Sequence, residues 1–185
     1  MRARSVVALG GGVLMLGGIV AFVLKAEPIP EVRQPAPVVF ACRNGVAMSL
    51  WSAAYFNRLA AARGIREYAI ARAVIPSFSA VPVNMAFALA IDGFRLDGFR
   101  PQVISSDDVR AAELVVAIDT ELPPEVGPSV SNVELWQGFP PMREQYFPSR
   151  AALKARVEEL VERLAAADHA RTRPPEGVLS RPRLE

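Results

Sequence analysis

The chain has 185 residues, 51% of them hydrophobic, which fits a single domain with appendages. Its 21 Lys and Arg residues are nearly balanced by 19 Asp and Glu residues, and no block of like charge occurs, so nucleic-acid binding is not expected. A single cysteine excludes an internal disulfide. Because His169 is the one histidine in the sequence, we expect neither a metal site nor a cofactor.

The first part of the chain contains an uncharged, mostly apolar run over residues 5–24, close to the roughly 20 residues that span a bilayer core. It predicts one transmembrane helix within residues 1–25. A cleaved signal peptide is the alternative, although no good small-residue cleavage site follows the run. Arginines at positions 2 and 4 favour a cytoplasmic amino terminus. The soluble domain is then expected in the periplasm or outside the cell, anchored to the membrane or, after cleavage, secreted.

The boundaries of the soluble domain follow from composition. Residues 26–37 are rich in proline, which predicts a stiff, extended linker. A charged tail with several prolines occupies residues 169–185 and is expected to be disordered. We therefore place one α/β domain at residues 38–168.

Residues 38–52 predict a strand, a tight loop and a helix. An apolar, β-rich run ends at Ala41, a turn signal follows at Asn44–Gly45, and apolar residues recur at helical spacing from Ala47. Cys42 therefore lies at the carboxyl end of a strand and faces a helix N-terminus, where anions bind in open α/β sheets. The positive electrostatic potential at a helix N-terminus also favours the thiolate form of a cysteine. The stretch predicts a phosphate-binding loop with a nucleophile.

The later elements alternate between strand and helix, which predicts a parallel sheet with right-handed crossovers. Helices are predicted over residues 48–63, 85–91, 107–112 and 150–167, and strands over 38–41, 68–75, 102–104, 114–118 and 130–136. Asn84, Ser106 and Ser149 are the expected N-caps, and Gly64 is the expected C-cap. The expected fold class is a doubly wound open α/β sheet of about four parallel strands with helices on both faces.

Four stretches, in their order and spacing, resemble the low-molecular-weight protein tyrosine phosphatases and the thioredoxin-linked arsenate reductases of the same fold. The loop from Cys42 to Ser49 is similar to that family's C(x)5R(S/T) motif, and an Ala-rich helix follows it. Residues 97–119 resemble the segment of that family in which a Gly-containing turn and an Arg precede a strand that ends in Asp. The closing helix carries Arg-Val-Glu-Glu-Leu at 156–160. The resemblance covers roughly residues 38–164 and implies a phosphatase-like α/β domain.

The resemblance also implies roles for individual residues. It places Cys42 at the nucleophile and Ser49 at a hydroxyl that stabilises the thiolate. The implied anion loop consists of Arg43, Asn44, Gly45, Val46, Ala47 and Met48. The family's phosphate-clamping Arg falls on Met48, which has neither charge nor donor. The family's Asp-Pro general acid has no counterpart here, and Pro140–Pro141 marks the equivalent place.

Two of the three catalytic parts implied by the resemblance are thus missing. We expect a membrane-tethered, catalytically inactive phosphatase-like domain, a pseudophosphatase, that acts as a binding or regulatory module for a protein or a phosphorylated ligand. The alternative is an active phosphatase with Cys42 as nucleophile and Arg43 or another basic group in place of the lost Arg, although a side chain next to the nucleophile usually points away. Thiol exchange stays open, and arsenate reduction is disfavoured because it needs further cysteines. Asp119, after a buried strand, is the one aspartate expected to face the loop.

Overall fold

A four-stranded parallel sheet is the centre of the computed structural model, which describes residues 27–29, 36–66, 68–75, 78–126 and 131–172. The strands are β1 Glu27–Pro28, β2 Val38–Cys42, β3 Ala69–Ala73, β4 Phe94–Arg95, β5 Leu114–Ile118 and β6 Val133–Trp136. The helices are α1 Met48–Arg63, α2 Val83–Ile91, α3 Ser106–Ala111 and α4 Tyr146–Thr172. The main sheet has the order β3-β2-β5-β6 with parallel pairing throughout, which confirms the predicted α/β class.

The two central strands, β2 and β5, are almost entirely buried, as expected of strands covered on both faces. Alternate residues of β2 point to opposite faces. Phe40 belongs to the cluster that α1 and α4 cover, with Phe56 and Leu153, whereas Val39 packs with Val109 of α3. Helices therefore lie on both faces of the sheet, and the carboxyl edge is left to the connecting loops.

Helix α1 ends where the sequence predicted. Gly64 has a left-handed φ of 68°, and its N–H donates to the carbonyl groups of Ala60 and Ala61. This geometry confirms Gly64 as the C-cap, because a residue without a Cβ adopts the left-handed conformation without strain.

Helix α4 is longer at both ends than the predicted 150–167. It begins at Tyr146, so Ser149 lies inside the first turn and is not the N-cap, and its N–H donates to the Gln145 carbonyl. Pro148 does not prevent this start, because the first-turn N–H groups of a helix have no partner in the helix. The helix continues to Thr172, so residues 169–172 of the expected disordered tail are helical.

Three further expectations are corrected at element ends. Ser105, not Ser106, caps α3: it accepts a hydrogen bond from the Asp108 N–H, and the Asp108 carboxylate accepts one from the Ser105 N–H. Helix α2 begins at Val83 after Pro82, so Asn84 is already helical and is not a cap. The strand expected over 102–104 is reduced to a single bridge.

The domain also begins earlier than residue 38. β1 pairs in parallel with β4, and the Ile29 N–H donates to the Arg95 carbonyl at 2.8 Å. Ile29 is buried in the main core cluster. Residues 27–29 of the expected linker are therefore part of the packed domain. The apolar run over 5–24 lies outside the described residues, and within the described ranges no helix is both long enough and apolar enough to cross a bilayer.

A buried ion pair joins β3 to α3. The guanidinium of Arg72 donates to both carboxylate oxygens of Asp108, at 2.9 and 3.0 Å, and the two side chains are 1% and 4% exposed. Ser105 donates to the same carboxylate from its N–H and its hydroxyl. Burial alone would raise the pKa of Asp108, but the hydrogen bonds from Arg72 and Ser105 outweigh it and hold the pKa below its ordinary value.

We expect Asp108→Asn to lower the free energy of unfolding by about 3–5 kcal/mol, because it leaves the buried Arg72 charge without its partner. Urea unfolding followed by circular dichroism at neutral pH measures the change. The matched control is Asp107→Asn, whose ion pair with Arg110 is exposed and should be worth about 0.5 kcal/mol or less. Equal losses in the two variants would contradict a special role for the buried pair.

The same pair predicts a pH dependence. Since the pKa of Asp108 is lower in the folded than in the unfolded state, its contribution is fully present above the unfolded-state pKa of about 4. The contribution is lost as the pH falls through the folded-state pKa. The difference in stability between the wild type and Asp108→Asn should therefore shrink below about pH 4, and a constant difference down to acid pH would argue against this linkage.

Candidate functional site

A cavity of about 360 Å³ lies at the carboxyl edge of the sheet, around the loop that joins β2 to α1. Its walls come from this loop, the start of α2, the end of β5 and the segment before α4. The lining residues used below are Cys42, Arg43, Met48, Phe78, Met85, Asp119, Met142 and Arg143. The structure thus brings the loop residue Cys42 together with groups from distant parts of the sequence.

The loop is held in place by a close backbone approach. Gly45 has a φ of 68°, and a Cβ built on it would lie 2.8 Å from the Ala73 nitrogen and 2.9 Å from the Ala73 Cβ. Only glycine meets both constraints. Within the described part of the chain, the backbone N–H groups of residues 44–47 have no hydrogen-bond acceptor. Free N–H groups before a helix N-terminus are donors for a bound anion.

Cys42 lies beside the hydroxyl of Ser49, as the resemblance implied. The Sγ and Oγ atoms are 3.0 Å apart, and Ser49 Oγ also lies 3.4 Å from the Arg72 carbonyl oxygen. Both side chains are buried, Cys42 at 3% and Ser49 at 0% exposure. Because the hydroxyl has one proton, it donates either to the sulfur or to the carbonyl. The first arrangement stabilises a thiolate and the second suits a neutral thiol.

Met48, at the position of the implied arginine, occupies the first turn of α1. It is half-buried, packs against the main core cluster and contributes to the cavity wall. Phe78, Met85 and Met142 extend the same wall. Sequence reasoning did not identify these three residues, because nothing local to them indicates which loop they face. The wall around Cys42 is therefore mainly apolar.

Two arginines are among the residues that border the cavity. Arg43, which was expected to point its side chain away from the loop, is one of them, and it is exposed. Arg143, which sequence reasoning missed, comes from the segment after Pro140–Pro141, where the resemblance places the general acid. The sequence feature that could have identified Arg143 is its position two residues after Pro141. Arginine residues therefore border the cavity even though Met48 stands where the resemblance implies an arginine.

Asp119 faces the cavity, as expected, and fixes the segment before α4. It adopts a positive φ of 45°. One carboxylate oxygen accepts a hydrogen bond from the Gly138 N–H at 2.7 Å and the other accepts one from the Phe139 N–H at 3.1 Å. Among the described lining residues it is the one carboxylate, and both of its oxygens are engaged. Its clearest role is to position residues 138–143 on the cavity.

Trp51 and Tyr146 contribute to packing and are not among the residues that line the cavity. Trp51 donates from Nε1 to Asp92 at 2.6 Å, and the Tyr146 hydroxyl lies 2.7 Å from the same Asp92 oxygen. Arg150 completes this cluster at 2.8 Å. Burial, followed by the hydrogen bond with Asp92, raises the pKa of Tyr146 far above its ordinary value. The cluster joins α1, the end of α2 and the start of α4 behind the cavity.

The fold is that of the low-molecular-weight protein tyrosine phosphatases and arsenate reductases, which confirms the fold that the sequence resemblance implied. An arsenate reductase from Archaeoglobus fulgidus superposes with a TM-score of 0.56 and 23% identity, over 68% of this chain and 98% of that one. A thioredoxin-dependent arsenate reductase from Corynebacterium glutamicum has a TM-score of 0.55 and 16% sequence identity, and the match covers 83% of this chain and 73% of that one. A low-molecular-weight protein tyrosine phosphatase from T. tengcongensis has a TM-score of 0.58 and 17% identity, and the match covers 69% of this chain and 99% of that one. No family model and no curated protein matches the sequence.

The loop geometry predicts unequal effects of two glycine substitutions. Gly45→Ala and Gly64→Ala both force alanine into a φ of 68°, at a cost of roughly 1–2 kcal/mol. The Cβ at position 64 meets no atom within 4 Å, whereas that at position 45 collides with Ala73. We expect the free energy of unfolding, measured with urea, to fall by about 1–3 kcal/mol more in Gly45→Ala than in Gly64→Ala, because the atoms of Ala73 must shift to make room for the new Cβ. Equal losses would show that the loop does not pack on Ala73.

Proposed function

We propose that the chain is a membrane-tethered binding or regulatory module, which keeps the anion loop of a phosphatase-like fold but does not turn over phosphate esters. The observation that carries the proposal is Met48 on the cavity wall, where the resemblance implies an arginine. Methionine offers no charge and no N–H donor to a phosphoryl oxygen. Loss of one transition-state donor costs about 10² to 10³ in rate, and a charged, bidentate donor is worth more.

The general-acid side of the site supports the same conclusion. A phosphoryl-transfer enzyme of this type must protonate the leaving oxygen with a positioned acid. Pro140 and Pro141 supply none, and both carboxylate oxygens of Asp119 accept backbone hydrogen bonds. Within the described lining of the cavity, no free carboxylic acid is available for this step.

The lining favours a ligand that combines an anionic group with an apolar body. The free N–H groups of residues 44–47 suit a phosphate or carboxylate, and two arginines, Arg43 and Arg143, are among the residues that border the cavity. Phe78 and the methionine side chains suit an apolar body. The proposed ligand is therefore a phosphorylated or otherwise anionic group carried on an apolar molecule or on a protein side chain.

A second candidate is an active cysteine-dependent phosphatase. The observation that favours it is the presence of Arg43 and Arg143 in the same cavity as a Cys42 thiol that retains its Ser49 contact. In that reaction the Cys42 thiolate would attack phosphorus, and a sulfur–phosphorus bond would form as the phosphorus–oxygen bond to the leaving group breaks, with water supplying the proton to the leaving oxygen. A second water would then hydrolyse the phosphocysteine, releasing phosphate and the thiolate. Arsenate reduction remains disfavoured, because the chain has one cysteine.

Hydrolysis of para-nitrophenyl phosphate by the purified full-length chain separates the two candidates. We expect the wild type to show no hydrolysis above that of Cys42→Ser, because the arginine that would stabilise the transition state is replaced by Met48. Hydrolysis by the wild type that disappears in Cys42→Ser would establish the active phosphatase and overturn the binding module. Retained far-ultraviolet circular dichroism controls for the folding of the variant.

Placing an arginine at position 48, where the resemblance implies the phosphate-binding one, tests the position of the loop. We expect Met48→Arg to bind inorganic phosphate more tightly than the wild type in isothermal titration calorimetry, because a guanidinium adds charge-assisted hydrogen bonds to the free N–H donors. Met48→Gln is the matched control, since it adds polarity and similar length without charge. If the arginine and glutamine variants bind phosphate equally, residue 48 does not face the anion position.

A further inference from the structure

Helix α2 exposes an apolar stripe to solvent. Val83, Phe87 and Ile91 are 86%, 69% and 46% exposed, and their i, i+4, i+8 spacing places them on one face of the helix. The other face, with Met85 and Leu89, is buried in the core. The helix sequence VNMAFALAI contains no charged residue. A helix that is apolar on both faces is typical of a buried or membrane-contacting position, not of a solvated surface.

Two other exposed aromatic residues adjoin the helix. Phe78 is 40% exposed, precedes α2 by a few residues and lines the cavity. Phe147 is 62% exposed, and its neighbour Tyr146 lies 2.9 Å from the Ala88 carbonyl of α2. These side chains add exposed apolar area on segments that precede or contact α2, and exposed apolar area of this kind marks an interaction site.

The path of the chain relates this surface to the apolar run near the start of the sequence. β4 follows α2 directly, and its Phe94 pairs with Glu27 of β1. The apolar run over residues 5–24 ends only three residues before Glu27, a distance of at most about 10 Å of extended chain. Adjacent strands lie about 4.8 Å apart. β1 therefore begins next to the carboxyl end of α2, and the predicted membrane segment ends three residues earlier in the sequence.

We propose that the α2 face formed by Val83, Phe87 and Ile91 rests in the interfacial region of the lipid bilayer, beside the membrane-entering segment. Apolar helix faces bind there with side chains about 5–10 Å deep. A lipid surface fits better than a second copy of the chain, because the short connection to residue 24 fixes the helix close to any bilayer that the apolar run enters. The cavity shares Met85 with α2, so it then lies beside the bilayer.

The experiment uses the full-length chain reconstituted into phosphatidylcholine vesicles, with or without bromine-labelled acyl chains that quench tryptophan fluorescence on contact. Phe87→Trp reports on the α2 face. Leu135→Trp, at a 53% exposed site on the edge strand β6, is the matched control. The two native tryptophans, Trp51 and Trp136, are buried and give the same background in both variants. We expect brominated lipid to remove most of the added emission of Phe87→Trp and little of that of Leu135→Trp.

The outcomes are decisive in both directions. Absence of quenching in Phe87→Trp, equal quenching in both variants, or failure of the chain to float with the vesicles would overturn the proposal. Self-association of the full-length chain that Phe87→Asp abolishes, without lipid quenching, would assign the face to a second copy instead. Should Phe87→Trp fold poorly, Val83→Trp at the most exposed position repeats the measurement. The inference rests on the membrane tether of the proposed function, so failure to float would remove both, whereas absent or equal quenching in a chain that floats would overturn this inference alone. None of these results depends on phosphate hydrolysis.

Discussion

The close approach of the Gly45 backbone to Ala73 is the constraint on which the site depends. It holds the loop against the end of β3, and α1 begins three residues later, at Met48. The Cys42–Ser49 contact bridges the two ends of this loop. The neighbouring residue of β3, Arg72, is held from the other face of the sheet by its buried pair with Asp108, so this ion pair supports the strand on which the loop packs.

The sheet and its topology were predictable because the signals are local. An almost continuous apolar run such as residues 114–118 indicates a strand buried on both faces, and the alternation with helices forces parallel pairing. The helix starts were less predictable. Ser106 and Ser149 have suitable side chains, but Ser105 forms a reciprocal capping box with Asp108, and Pro148 is accepted within a first turn. Neither outcome follows from side-chain type alone.

The cavity was predictable only in part, for a related reason. The loop around Cys42 is contiguous in sequence, so its residues share one signal. The opposite wall is built from Phe78, Met85, Met142 and Arg143, which tertiary packing brings there from two other segments. Asp119 was predictable because the carboxyl ends of parallel strands meet at one edge. Its hydrogen bonds to the backbone of Gly138 and Phe139 were not, since they depend on the path of a proline-rich segment.

The composition of the cavity separates binding from catalysis in energetic terms. A charge-assisted hydrogen bond contributes about 1.5–3 kcal/mol to binding, and burying about 100 Å² of apolar surface contributes about 2.5 kcal/mol. Apolar contacts with Met48 and its neighbours therefore compensate in affinity for a missing guanidinium. They do not compensate in rate, because an apolar contact is equally strong in the ground state and the transition state, and only differential stabilisation accelerates a reaction. Under the proposed function, methionine in place of the arginine clamp would retain a ligand with an apolar body while removing the turnover.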